Sequence, residues 1–190
     1  MSTLYSERVS SRPSARIEAE KKAREDEDAR QEALRFFCSL EERTEELLKL
    51  AESISRKSAE ISVSDYMDFR NLMSECLTFL IIVEKRLEKV QEPAKNELYD
   101  KHHDLTVAIW SILLKGSLEF LQGISAEEHL PIGSRDIFIQ ELRTLYEAEK
   151  IFHTTQYQAR VGKDMQKKLE VAERILNEII ERAPSLLKLG

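Results

Sequence analysis

Residues 37–61 read FCSLEERTEELLKLAESISRKSAEI, and this stretch decides the fold. Its core positions recur at alternating steps of three and four, at Phe37, Leu40, Thr44, Leu47, Ala51, Ile54, Ser58 and Ile61. Near the other end of the chain the same spacing returns, at Met165, Leu169, Ala172, Leu176, Ile179, Ala183 and Leu186. Such coiled-coil spacing places each set on one face of a helix, and that face must pack against other helices.

The composition also indicates helices. Only 5 Gly and 4 Pro occur in 190 residues, so residues that break helices are few. The periodic segments cover about 34–61, 65–91, 94–122 and 135–182, with breaks at Ser62–Ser64, at Glu92–Pro93 and over residues 124–134. Short connections favour antiparallel neighbours. We therefore predict an all-α fold, an antiparallel four-helix bundle with long first and last helices.

The last helix carries two unusual features. The apolar repeat changes phase near Gly162, which predicts a bend, a skip in packing or a break, and leaves the continuity of this helix open. Just before it, the residues HTTQYQ (153–158) are uncharged and polar. They favour a polar layer that sets register or oligomer state, with a recognition patch and simple solvent exposure as alternatives.

The first 33 residues differ from the rest. Residues 1–13 are polar and rich in serine, which predicts a disordered tail. Residues 14–33 contain strong helix formers but almost no apolar stripe, which predicts a charged, marginally stable helical arm. We assign residues 34–190 to the helical bundle domain. The arm is either a passive tail, a docking segment that orders on a partner, or an export signal.

Charge and apolar runs restrict the possible partners. The chain has a net charge of -6 and no cluster of Lys and Arg, so we expect no nucleic-acid binding. No apolar run approaches the roughly 18 residues of a membrane span, and no apolar leader is present at the N-terminus. Cys38 and Cys76 lie in apolar helical stretches, which indicates buried thiols in a reducing compartment. We therefore expect a cytoplasmic protein.

A metal site is one alternative. Glu149 and His153 lie four residues apart, and folding the helices about their turns brings Glu84 level with His102, and His103 level with Thr155. Imidazole and carboxylate groups are ligands for first-row metals, so the candidates are Glu84, His102, His103, Glu149 and His153. A di-metal bundle needs a Glu-x-x-His pair on each of two helices, and neither pair is present. We therefore expect no metal, no cofactor and no catalytic residue.

The residues LLKGS (113–117) resemble the Leu-Lys-Gly-Ser stretch of histidine phosphotransfer domains, which are also four-helix bundles. In that family the phosphorylated histidine lies three residues before the lysine, and that position is Ile112 here. The second glycine of the pattern is out of register, at Gly123. The resemblance therefore implies at most a bundle that binds partners without phosphotransfer. Independently of it, Gly116 and Ser117 are small residues that permit close approach of two helices.

These observations predict a non-enzymatic protein–protein interaction module, such as an adaptor, a chaperone-like protein or a regulatory scaffold. The first and last helices outlast the middle pair, and their apolar ends need a cover, so we expect a homodimer. One alternative is a metal-binding bundle enzyme or sensor. A second is an exported protein whose disordered N-terminus is a secretion signal.

Overall fold

The computed structural model describes residues 12–56, 63–125 and 134–186, and these residues form six helices and no strand. The helices are α1 (Arg12–Arg56), α2 (Val63–Leu87), α3 (Ala94–Ser125), α4 (Ser134–Phe152), α5 (Thr155–Gln158) and α6 (Lys163–Leu186). The all-α prediction is confirmed. The count of four helices is corrected to six over these ranges, because the predicted last helix is interrupted between residues 153 and 162.

Helix α3 lies at the centre of the fold. It packs against α1 and α2 on one side and against α4 and α6 on the other, while α1 and α2 pack on each other, as do α4 and α6. Its buried side chains accordingly face several directions, with Ile109, Trp110, Leu113, Leu114 and Leu118 all less than a tenth exposed. The described helices therefore form two groups that share α3, and their buried apolar side chains belong to one core.

The heptad positions form the core as their spacing predicts. Phe37, Leu40, Leu47, Ala51 and Ile54 are at most 1% exposed. Thr44 is partly buried, and its hydroxyl donates to the Leu40 carbonyl at 2.7 Å, which satisfies a polar group beside the core. On α6 the positions Met165, Leu169 and Ala172 are buried. Ser58 and Ile61 lie outside the described residues.

Several helix boundaries differ from the sequence expectation. Helix α2 begins at Val63, two residues before the predicted start, and α6 continues past Pro184 to Leu186, whereas the prediction ended this helix at about 182. Helix α2 ends at Leu87 and is followed by a turn, whereas the apolar repeat extends the predicted helix to 91. Helix α3 continues past Gly123 to Ser125, because a glycine in a helix costs only about 1 kcal/mol relative to alanine.

The exposure of Cys38 corrects one predicted buried residue, and that of Ile81 corrects the expected cover around the apolar centre of α2. Cys38 is exposed, since it follows the core residue Phe37 by one position and so points about 100° away from the packed face; Cys76 is buried as expected. Ile81 is 55% exposed, although the apolar run around it predicts cover on more than one side. Helices α1 and α3 flank α2 and leave this third side open.

Close approach between α2 and α3 depends on Gly116. A β-carbon placed there would lie 2.6 Å from two ring atoms of Phe69, closer than side chains ever pack. The expectation that Gly116 permits close helix contact is therefore confirmed. Ser117, the second small residue, is fully buried in the same helix.

Residues 14–33 are helical and continuous with the packed part of α1. Their last part touches the bundle: Ala33 is fully buried, and the Asp26 carboxylate accepts a hydrogen bond of 2.7 Å from the Gln91 backbone N–H in the α2–α3 turn. Preceding residues of the helix, from Arg16 to Glu25, are all exposed. Of the predicted tail, residues 1–11 lie outside the described residues, whereas Arg12 and Pro13 belong to α1.

Candidate functional site

The break between α4 and α6 is where the structure departs most from regular helix packing. It comprises the HTTQYQ segment and the four residues that follow it. Side chains of this segment donate hydrogen bonds to backbone carbonyls at the end of α4. The Thr154 hydroxyl donates to the Ile151 carbonyl at 2.7 Å, and the Gln158 amide donates to the His153 carbonyl at 3.1 Å. Threonine and amide side chains compete with helical hydrogen bonds in this way, so the polar segment ends α4.

A cleft lies below this break, between the end of α4 and the start of α6. It has a volume of about 270 Å³, close to the lower limit for small-ligand pockets. Apolar side chains and polar side chains both line it: Glu149, Phe152, His153, Gln158, Val161, Gln166, Leu169, Glu170 and Glu173. Phe152 and Leu169 are buried, and they form an apolar floor beneath a polar rim.

The rim of the cleft is acidic. Glu149, Glu170 and Glu173 make no ion pair within the described part of the chain, and no lysine or arginine is among the lining residues. Some carboxylates outside the cleft do pair with a cation on another element, as where Arg160 bonds Asp104. Because the three carboxylates line one cavity and form no ion pair with the described residues, this cleft favours a cationic group with an apolar stem.

On the other side of α5, an aromatic cluster fixes the break to α3. The Tyr157 ring meets the rings of His103 and Phe152 edge to face, with centroids 5.5 and 5.6 Å apart, and Phe152 also packs on Trp110. The Gln156 amide lies 2.6 Å from His103 Nε2, so a neutral His103 accepts this hydrogen bond with its proton on Nδ1. Burial and the neighbouring His102 lower the pKa of His103, which favours this neutral form.

Arg160 adds a second anchor between the break and α3. Its guanidinium bonds the carboxylates of Asp100 and Asp104, which lie one turn apart on α3, and it also donates to the Asp100 carbonyl at 3.4 Å. Two carboxylates on successive turns suit the fork of guanidinium donors. The segment that closes the cleft is therefore held to α3 by both ring packing and charge.

The structure separates the five predicted metal candidates. His102 is buried, and its Nε2 donates to the Leu80 carbonyl at 3.0 Å. This hydrogen bond joins α3 to α2, so Nε2 is not free to bind a metal. Glu84 is exposed on α2 and His103 faces α5, whereas Glu149 and His153 line the cleft. Across residues 12–56, 63–125 and 134–186, no group of three or more His, Cys, Asp or Glu could hold a metal ion.

A buried polar cluster between α2, α3 and α4 escaped the sequence reasoning. Glu141 is fully buried, and its Oε1 lies 3.2 Å from Arg70 Nε, while Arg70 also donates to the Thr144 hydroxyl at 3.3 Å. Tyr66 and Ser117 are fully buried beside them. Burial, and then the Glu141 carboxylate, raise the pKa of Tyr66 far above its ordinary value, so the phenol stays neutral.

A signal for this cluster was present in the sequence. Glu141 follows Phe138 by three residues and precedes Leu145 by four, so it occupies a position of the apolar stripe. Ser117 likewise occupies a position of the apolar face of α3, between Leu114 and Leu121. A carboxylate at a core position requires a buried partner, and Arg70 is that partner. The cluster joins α4 to α2 and α3, which makes it a structural connection and not an open site.

Comparison with known proteins returns no relative: the chain matches no family model, no curated protein and no solved structure. The stretch 113–117 is accordingly interpreted from its packing alone, within α3. None of the helices in the described part is long and apolar enough to cross a membrane.

Proposed function

We propose that this chain is a non-enzymatic protein–protein interaction module that presents the exposed N-terminal part of α1 to another protein. The observation that carries the proposal is the overhang of α1, which we define as residues 16–25. Every residue of the overhang is exposed, although it continues the helix whose later residues form the core. Ile17 is 66% exposed, more than any other large apolar side chain among the described residues.

The overhang stays helical because it is continuous with the packed part of α1. A separate helix of this length would be marginal in water, because nucleation is costly and only long helices recover that cost. Here the packed part of α1 supplies the nucleus, and the Asp26 and Gln91 contact joins the base of the overhang to the α2–α3 turn. A partner helix could therefore bind an already ordered surface, which reduces the ordering entropy lost on association.

Affinity capture tests the proposal with two matched variants. Ile17 and Ile139 are both isoleucines on exposed helix faces, 66% and 48% exposed, and they lie on α1 and α4 respectively. We expect Ile17→Asp to abolish capture of proteins that the full chain retains, and Ile139→Asp to leave it unchanged. Capture lost only with Ile139→Asp would move the interaction surface to α4. Capture of no protein by the full chain would overturn the proposal.

Metal content measured on the same purified chain tests the enzyme alternative. Stoichiometric metal that disappears in His153→Ala would replace the interaction proposal with a metal-dependent site near the cleft. Circular dichroism of each variant shows whether the helical fold is retained, so a loss of capture is not confused with unfolding.

A further inference from the structure

We propose that the acidic cleft between α4 and α6 receives the arginine-containing segment of residues 1–17 from a second copy of this chain. This inference goes beyond the proposed function, because the occupant is the chain itself and the receiving surface is not the overhang. It makes the chain a homo-oligomer whose contacts are formed between unlike surfaces of two copies.

Charge is the first argument. The segment 1–17 carries Arg8, Arg12 and Arg16 against the single acidic residue Glu7. The rest of the chain is acidic, since the net charge of the whole is -6. The cleft has three carboxylates without an ion pair in the described residues, and no lysine or arginine lines it. The net positive charge of residues 1–17 therefore complements the carboxylates that line the cleft.

Distance is the second argument, and it excludes the cleft of the same copy. Asp26 is level with the start of α3, so Arg12 lies about 21 Å beyond that level along the helix axis. The cleft is level with Trp110, which packs on Phe152 about 24 Å along α3 in the opposite direction. The four residues from Arg8 to Arg12 span at most about 14 Å. A separation of about 45 Å cannot be bridged within one chain.

The shape and polarity of the cleft are the third argument. A volume of about 270 Å³ accommodates one or two long side chains and not a whole domain. Its apolar floor, which includes Phe152 and Leu169, can cover the arginine stems or the exposed Ile17. The pairing of Arg16 with Glu20 does not oppose docking, because both side chains are mostly exposed and such pairs contribute little.

The end of α1 adds a fourth argument. The first turn of α1 contains no acidic residue, so its unpaired backbone N–H groups and the positive end of the helix dipole are not neutralised locally. An acidic cleft is a favourable environment for such an end. Helix dipole and arginine charge thus act in the same direction at this contact.

Charge reversal in the full-length chain tests the inference by sedimentation velocity over a range of concentrations at low salt. We expect the unmodified chain to self-associate, and Glu170→Lys/Glu173→Lys to weaken that association about tenfold or more. Arg8→Glu/Arg12→Glu should weaken it similarly. The four changes combined in one chain should restore it, because each charge again meets its opposite.

A matched control lies on the same helix. Glu178 is exposed on α6 and is not a lining residue of the cleft, so Glu178→Lys should leave self-association unchanged. A chain that stays monomeric at all concentrations, or that associates equally well with Glu170→Lys/Glu173→Lys, would overturn the inference. Failure of the combined variant to restore association would also count against it. Capture through Ile17 that persists in a monomer would leave the proposed function standing.

Discussion

The buried ion pair between Arg70 and Glu141 supports a quantitative prediction. The Glu141 side chain is 0% exposed and that of Arg70 is 20% exposed, so the carboxylate cannot reach water when its partner is removed. Removing one member of a buried pair leaves an uncompensated charge and typically costs about 3–5 kcal/mol. We therefore expect Arg70→Met to lower the free energy of unfolding by that amount, a large part of the total stability of a domain.

Urea denaturation followed by circular dichroism measures this loss. With a slope near 2 kcal/mol per molar urea, the unfolding midpoint should fall by about 2 M. Arg86→Met is the matched control on the same helix, because Arg86 pairs with Glu32 at 3.4 Å in an exposed setting, where a pair contributes about 0–1 kcal/mol. Equal losses for the two variants would refute the argument from burial. In the double variant Arg70→Met/Glu141→Leu most of the stability should return, since neither charge is left alone.

Three further predictions concern single positions. In the same urea assay, Gly116→Ala should lower the free energy of unfolding by about 1–3 kcal/mol, because the added methyl group overlaps the Phe69 ring. Gly162→Ala is the control: a methyl group there meets no atom within 4 Å and should change stability by less than about 0.5 kcal/mol. Iodoacetamide should label exposed Cys38 quickly and buried Cys76 only after unfolding, since burial raises the pKa of Cys76 to about 11; equal rates would contradict the packing of α2. The pKa of His103 is lowered in the fold, so the unfolded chain binds a proton first as pH falls below about 6.5, and the free energy of unfolding should decrease in that range. His103→Gln should flatten this pH dependence, measured as urea midpoints from pH 7 to 5.

Periodicity was sufficient to predict the helical class and most of the core. In α1 the apolar heptad positions from Phe37 to Ile54 are buried because a 3.5-residue repeat keeps one stripe facing the neighbouring helices. Periodicity along one helix does not state how many sides of that helix are covered. The exposure of Ile81 shows this, since its run is apolar nearly all round, whereas among the described helices α2 packs mainly on α1 and α3.

The cleft was less predictable than the core, because it forms where hydrogen bonds from side chains to the backbone compete with the backbone hydrogen bonds of a helix. The phase change near Gly162 indicated an irregularity, but the helix ends ten residues earlier, at Phe152. Whether Thr154 and Gln158 bond to the backbone or face water depends on local geometry that no spacing rule contains. The register estimate was nevertheless close: the sequence places His103 level with Thr155, and the adjacent Gln156 is its hydrogen-bond partner.

The two proposed surfaces share a physical property that separates them from the rest of the chain. The apolar core, the Arg70 and Glu141 ion pair and the Arg160 anchor are contacts made within the chain, so none of them needs another molecule to form. The overhang of α1 is exposed helix, and the rim of the acidic cleft contains like charges that form no ion pair with the described residues, so neither of these two surfaces contributes much to stability. Like charges held together at a cavity oppose folding. If the cleft is a binding site, Glu170→Gln/Glu173→Gln should therefore raise the urea midpoint of the chain at low salt while it lowers self-association, and a midpoint that falls instead would show that these carboxylates serve the fold.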